Sequence, residues 1–374
     1  MKKLIFRKFI QDTLIFFTSS LLIMGLIVWT IQAVNFFDYV TEDGHGLKVY
    51  FFYSIFNFPK IIHRILPFIF FISLFYTILN YELKNELSIF WINGVSKISF
   101  SNKVLTFSII VMFFQMLLGS YISPSSQYKA RNFLKNSNID FFTSLIKEGK
   151  FINVVKDLTI FIDKKNDDGS YTNIFLDDST KINLKGGFSR MIYAKKGVII
   201  DNGKQKIFKL LNGRVINNEQ SKINIFDFDE IDFSLDEFTA NTITVPKIQE
   251  IQTTMLLRCI FNLDIKKNIF DSFECGKNLN KEIKQELLKR LYKPIYIPII
   301  TIFCSFLIIY SKNKAQYNKN KNLIFILTFF LLIFSEGSLR YSISSNISLI
   351  TYLMLPWTVF IFAYLLLYRA AKHV

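Results

Sequence analysis

Apolar residues gather into six long stretches along this chain: residues 14–36, 66–79 (with a lead-in through Ile61 and Ile62), 104–122, 295–310, 323–334 with its flanks, and 347–368. A helix needs about 20 mostly apolar residues to cross roughly 30 Å of hydrocarbon, so each stretch predicts a membrane span. Pro67, Pro294, Pro298 and Pro356 fall in or at the ends of these stretches. Neighbouring helices can satisfy the carbonyls that proline frees, so the prolines do not argue against spans. Between the third and fourth spans the pattern changes. A polar, helix-compatible link (127–148) is followed by short runs with strand composition at 151–155, 158–163, 173–176, 191–194, 197–200, 206–211, 214–216 and 223–233. Turn signals separate them at 166–169, 201–203 and 212–213. Many short strands at close spacing predict an antiparallel sandwich or partly open barrel. The fold class expected is therefore an integral membrane α-helical bundle of six transmembrane helices with an inserted all-β domain. Its parts are residues 1–123 (spans one to three), 124–290 (the inserted domain with helical links) and 291–374 (spans four to six).

Charge sets the orientation. Lys2, Lys3, Arg7 and Lys8 precede the first span, and Lys84, Lys97 and Lys103 lie between the second and third. Lys312, Lys314, Lys319 and Lys321 follow the fourth, and Arg369 and Lys372 follow the last. All four groups fall on one side, which the positive-inside rule makes cytoplasmic. Both termini are then inside, while the inserted domain and the short segments 41–59 and 340–346 are outside. The first apolar stretch is too long for a signal h-region and lacks a small-residue cleavage site, so it is expected to stay as a span. With 51% hydrophobic residues and a net charge of +16, the basic excess reads as loop lysine beside a membrane, favourable to anionic headgroups, rather than as a nucleic-acid surface.

Enzyme signatures are missing. No G-x-x-x-x-G-K-[ST] loop, H-E-x-x-H pair or G-x-S-x-G elbow occurs, so the chain has no ATPase site of its own and no cofactor or metal is expected. His45, His63 and His373 lie on different segments. Asp227, Asp229 and Asp232 could form a D-x-D metal site, but Phe226 and Phe228 alternate with them, which favours a strand with one wet face. Cys259 and Cys275 could pair on an oxidising side, although scattered thiols are more often unpaired; Cys304 lies within a span.

The segment 82–95, between spans two and three, carries a different signal. Leu83, Leu87, Phe90 and Trp91 fall at i, i+4, i+7 and i+8, one face of a helix. Gly94 is placed to end that helix in the left-handed conformation. Such a surface helix either rests on lipid or docks into a partner's groove.

The stretch Asn85-Glu-Leu-Ser-Ile-Phe-Trp-Ile-Asn-Gly-Val-Ser96 resembles an element of the LptF/LptG lipopolysaccharide-export permeases, a family with three spans on either side of an inserted domain. Phe58-Pro59 with Leu66-Pro67, Ser123-Pro124 with Ala130-Arg-Asn132, Lys147-Glu-Gly-Lys-Phe151, and Glu286-Leu-Leu-Lys-Arg290-Leu followed by Pro294 are similar to further family elements in the same order. The Glu148–Phe151 region and the strands after it look more LptF-like. Trp91-Ile92-Asn93 departs from the small residues usual before this glycine, and Gln32 and Asn35 stand where members often carry Lys or Arg late in the first span.

What the resemblance implies is a permease subunit of an ABC transporter in the bacterial inner membrane, with its β-jellyroll in the periplasm. It would pair with an LptG-like paralogue, be driven by an LptB-like ATPase dimer that binds the ATP, and pass lipopolysaccharide to an LptC-like protein. The coupling candidates are Glu86, a polar contact to the ATPase, with Leu87, Phe90 and Val95 packing in its groove, and Gly94, which ends the helix. Headgroup phosphates need cations near the outer surface, and Lys60, Arg64, Lys293 and Arg340 are the candidates. Moving an acyl chain into water costs about 0.8 kcal/mol per methylene, so a sheltered groove is expected. Phe151, Ile160, Ile162, Phe175, Ile192 and Phe208 are its candidate lining. The alternative is a non-transporting scaffold or mechanotransmission protein that binds periplasmic partners.

Overall fold

The computed structural model describes residues 2–37, 47–136, 148–155, 158–166, 168–178, 188–201, 206–219, 222–234, 247–261, 279–309 and 316–372. Six helical segments within them are long and apolar enough to cross a membrane: Lys3–Phe36, Leu47–Leu83, Lys97–Leu134, Asn280–Ile308, Tyr317–Tyr341 and Asn346–Lys372. Together with an antiparallel six-stranded sheet, they make a membrane helical bundle with an inserted β domain. The chain divides into two compact units. One comprises Met1–Val34, Phe52–Asn132 and Pro246–Val374; the other comprises Asn35–Phe51 and Phe133–Val245.

The helical elements run α1 (Lys2–Phe36), α2 (Leu47–Phe56), α3 (Phe58–Leu83), α4 (Leu87–Ile92), α5 (Lys97–Leu117), α6 (Ser123–Asn136), α7 (Thr253–Ile260), α8 (Asn280–Leu287), α9 (Tyr296–Ser305), α10 (Tyr317–Tyr341) and α11 (Asn346–Lys372). Residues 47–56, expected as part of an outer loop, are helical. Their composition, Leu-Lys-Val-Tyr-Phe-Phe-Tyr-Ser-Ile-Phe, is apolar enough to extend the second span backwards. Pro67 and Pro356 sit inside α3 and α11 without ending them. One core of the bundle is built from aromatic and aliphatic residues of α1, α3, α4, α5, α9 and α10, including Phe9, Phe70, Phe71, Phe90 and Phe100. Lipid tails are as apolar as these side chains, so packing and buried polar bonds, rather than water exclusion, hold the helices together. Tyr81 Oη donates to Asp12 Oδ2 at 2.6 Å, and Tyr317 Oη donates to Glu82 Oε2 at 2.6 Å.

The second unit holds β1 (Lys150–Val155), β2 (Leu158–Lys165), β3 (Tyr171–Asp178), β4 (Phe188–Asp201), β5 (Lys206–Glu219) and β6 (Lys222–Ser234). Each pairs with its neighbours in sequence, so the described strands form a meander. The Greek-key crossing of a jellyroll is not among them. Runs expected as separate strands, 191–194 with 197–200 and 206–211 with 214–216, are continuous in β4 and β5. The turn signal Asn212-Gly213 lies inside a strand. Its residues serve a different purpose: pairing skips one residue on each of five strands, namely Asp163, Asn173, Lys195, Asn212 and Asp229. Asn173 (φ 50°) and Asn212 (φ 51°) take the left-handed conformation that asparagine tolerates. The alternation of side chains resets at this row. Tyr171 and Ile174, three residues apart, therefore both face the core, as do Leu210 and Val215, five apart. Gly213 has no room for a side chain, since a Cβ there would lie 2.2 Å from the carbonyl oxygen of Tyr193.

Asp227 is ion-paired with Arg214 (2.6 Å), whose guanidinium holds the carboxyl below its usual range, and Glu230 is paired with Lys209. The acidic run is thus the wet face of β6. Cys259 is disulfide-bonded, and Cys304 is a buried free thiol. Cys275, the turn at 202–203, residues 137–147 of the expected link, and Lys312 and Lys314 lie outside the described residues.

Candidate functional site

Two places in the helical unit gather the functional candidates. The first is the turn between α3 and α5. α3 ends on Asn85, whose φ of 59° lets Glu86 N–H reach Tyr81 O (2.8 Å) and Asn85 N–H reach Glu82 O (3.0 Å). α4 ends on Gly94 in the same way (φ 70°): Val95 N–H reaches Phe90 O (3.0 Å) and Gly94 N–H reaches Trp91 O (2.9 Å). Both are left-handed helix stops with the paired bonds of a Schellman motif. Ser96 then caps α5, its hydroxyl accepting from Ser99 N–H at 3.2 Å. A six-residue helix, too short to persist alone, is thereby clamped at both ends.

Clamping decides which face looks out. Phe90 is fully buried (0% exposed), with ring centroids 5.1 Å from Phe6 and 5.0 Å from Phe100. Leu87 and Val95 are buried beside it in the same core. These three are therefore not available to fill a partner's groove, which corrects the role expected for them. Amphipathic spacing identified Leu87 and Phe90, which the chain's own α1 and α5 cover; Leu83 of the same expected stripe lies in α3, before the stop at Asn85, and is exposed. The outward residues are Ser88, Ile89 and Ile92, the last 85% exposed, with Glu86 half-buried at the start of α4 and Gly94 exposed at its end. Ile89 and Ile92 are not among the candidates that the sequence offers. Their signal was legible: two large apolar residues opposite the predicted packing stripe.

The second place is a polar pocket whose lining includes Lys60, His63 and Arg64 of α3, Gln115 of α5, and Glu286, Lys289, Arg290 and Lys293 around the end of α8. Two π-helical turns, Leu118–Ile122 and Leu288–Tyr292, pack against each other there. Such turns recur at functional sites. Gly119 of the first lies against the His63 ring, where an added Cβ would fall 2.5 Å from Cε1. Arg290 is held by Glu286 Oε1 (2.9 Å) and donates to the carbonyls of Ile251 (2.7 Å) and Gln249 (2.9 Å) and to Thr253 Oγ1 (3.2 Å). It ties the chain before α7 to the fourth span. A bidentate ion pair, Arg131 to Glu250, fixes α6 to the same segment.

Lys60, Arg64 and Lys293, three of the predicted headgroup cations, thus meet in one pocket. Lys293 is paired with Glu336, whereas Lys60 and Arg64 have no ion pair among the described residues. Arg340 is exposed near the end of α10 and is not part of the lining. The pocket wall also holds Gln115 Oε1 and His63 Nδ1, both buried without a hydrogen-bond partner. With five cations against Glu286 and Glu336, the lining suits an anion.

The predicted acyl lining divides between the two faces of the sheet. Ile160, Ile162, Ile192 and Phe208 are buried in its packed core. Phe151 and Phe175 lie on the opposite face, their rings 6.3 Å apart, with Phe161 4.7 Å from Phe151. Direct pairing in register, Phe151 to Phe161 to Phe175 to Tyr193, sets that row.

A multi-pass membrane protein with three spans on either side of a β-sheet domain, and a cationic pocket against its second and fourth spans, belongs among membrane permeases. The family described as "Lipopolysaccharide export system permease LptF/LptG" matches residues 7–370, and the chain belongs to it. The chain is also 26% identical over 214 residues to an uncharacterized protein of Rickettsia prowazekii (strain Madrid E), a match that covers 56% of this chain and 57% of that protein. The chain thus spans rather over half the length of the curated relative it matches.

Proposed function

We propose that this chain is a permease subunit of an ABC transporter that withdraws lipopolysaccharide from the inner membrane and passes it to a periplasmic bridge. The family match over almost the whole chain carries this reading. It would act with a paralogous LptG-like subunit and an LptB-like ATPase dimer, which would supply the ATP site, and deliver to an LptC-like protein. In this reading both termini and α4 are cytoplasmic, and the β domain is periplasmic. The disulfide at Cys259 supports the second assignment, because disulfides persist on the oxidising side of the membrane. The clamped α4 would present Glu86, Ile89 and Ile92 to the ATPase. Lys60 and Arg64 would hold a headgroup phosphate at the outer end of the bundle. Acyl tails would travel along an apolar surface rather than through water; the Phe151–Phe161–Phe175 row is one apolar strip on the face opposite the buried Ile160, Ile162, Ile192 and Phe208.

Proteoliposomes carrying this chain with its partners test the reading. ATP-dependent release of lipopolysaccharide to a soluble acceptor is expected, and Glu86→Lys should abolish it while leaving membrane insertion intact. If the assembled complex hydrolyses ATP without releasing lipopolysaccharide, the chain is instead a scaffold that binds periplasmic partners.

A further inference from the structure

At the other end of the bundle, α10 and α11 both pack on α9 but scarcely meet each other. They leave a cavity of about 410 Å³ walled by Phe303 of α9 and Phe306 just beyond it, Leu323 and Leu327 of α10, and Phe362 and Leu366 of α11. Its lining is almost entirely apolar, with Asn320 at one end. An apolar space of this size inside a bilayer does not stay empty, because its walls would lose their dispersion contacts. Size limits what can fill it. A spanning helix with its side chains is about 10–12 Å across. An acyl chain, one carbon thick, can lie along the whole slot.

Charge at the slot's polar end narrows the choice. α10 begins and α11 ends there. Lys319 lies one helical turn before Leu323, and Arg369 lies one turn beyond Leu366 on the same stripe. Both are exposed and have no ion pair among the described residues. The first turn of α10 holds no acid, and the last turn of α11 holds Arg369 and Lys372. The nearby acid Glu82 accepts a hydrogen bond from the Tyr317 hydroxyl. Basic rims between membrane helices on the cytoplasmic side bind anionic lipid heads.

We propose that this slot binds one anionic glycerophospholipid from the leaflet on the side of the two chain termini, with an acyl chain between α10 and α11 and its phosphate against Lys319 and Arg369. The site is separate from the cationic pocket and does not depend on which lipid is transported.

Purified full-length protein in nanodiscs of mixed phosphatidylglycerol and phosphatidylcholine, free of lipopolysaccharide, tests this by native mass spectrometry. Wild type should keep one phosphatidylglycerol in preference to phosphatidylcholine. Lys319→Gln and Arg369→Gln should each weaken that preference about fivefold, the loss of one surface cation. Leu366→Trp, which fills the slot from an exposed position, should remove the retained lipid of either headgroup. Ala363→Phe should do the same from the buried wall, and the exposed site guards against misfolding of the buried one. Three results would overturn the proposal: equal retention of the two lipids by wild type, lipid retention unchanged in Leu366→Trp, or a photo-crosslinker at Leu327 that captures a neighbouring subunit instead of lipid.

Discussion

Phe90 and Ile92 stand two residues apart in α4 and should behave in opposite ways. Phe90 is sealed against Phe6, Phe9 and Phe100. Truncating a buried phenylalanine to alanine costs about 3–5 kcal/mol, of which each aromatic edge contact contributes about 0.5–1.5 kcal/mol. Ile92 is 85% exposed, and substitutions at such positions usually shift stability by no more than about 0.5 kcal/mol. If α4 docks an ATPase through its outward face, a charge at Ile92 places an unpaired carboxylate in an apolar contact. Central apolar anchors of interfaces cost about 2 kcal/mol or more when lost, at least about thirtyfold in affinity. Two measurements on the purified permease separate the residues: the thermal midpoint and the amount of ATPase that co-purifies. Phe90→Ala should lower the midpoint by several degrees and lose the ATPase with it. Ile92→Asp should keep the midpoint and lose the ATPase alone, with Ile89→Asp behaving likewise. Full ATPase binding by Ile92→Asp, or an unchanged midpoint in Phe90→Ala, would refute the assignment of the two faces.

Gly119→Ala should destabilise the permease by about 1–3 kcal/mol through its clash with His63. Adding His63→Ala should recover most of that loss in a double-mutant thermal-shift cycle, whereas simple additivity would dismiss the clash. Arg290→Ala strips a cation from Glu286 and three carbonyls, so it should cost about 3–5 kcal/mol and lower the yield of folded protein; Arg290→Lys should rescue little, because an ammonium cannot reproduce the fork. Gly213→Ala forces the Tyr193 carbonyl and the Phe228 ring apart. The β-sheet should lose about 1–3 kcal/mol, visible as faster proteolysis of the inserted domain with the membrane spans intact.

Much of this protein could be read from order along the chain. Six apolar stretches of spanning length, interrupted once by strand-like runs, specify a membrane bundle with an inserted β domain, because the length and period of apolar residues are local properties. Gly94 as a left-handed helix stop was legible for the same reason: the requirement for positive φ belongs to the backbone of one turn. Lys60, Arg64 and Lys293 could be chosen as cations at span ends, though nothing in their spacing showed that they meet around His63 and Gln115.

The tertiary structure decided which neighbour covers each surface. Leu87 and Phe90 of the expected stripe are the apolar face of α4, while Leu83 falls in α3 before the Asn85 stop; the chain's own α1 and α5 take that face, and Ile89 and Ile92 are left to face outward. Strand composition found the β segments but placed a turn at Asn212-Gly213, where five aligned residues in successive strands reset the side-chain alternation together. Both outcomes arise from contacts between residues distant in sequence. Periodicity along a chain says that a face is apolar; only packing says what lies against it.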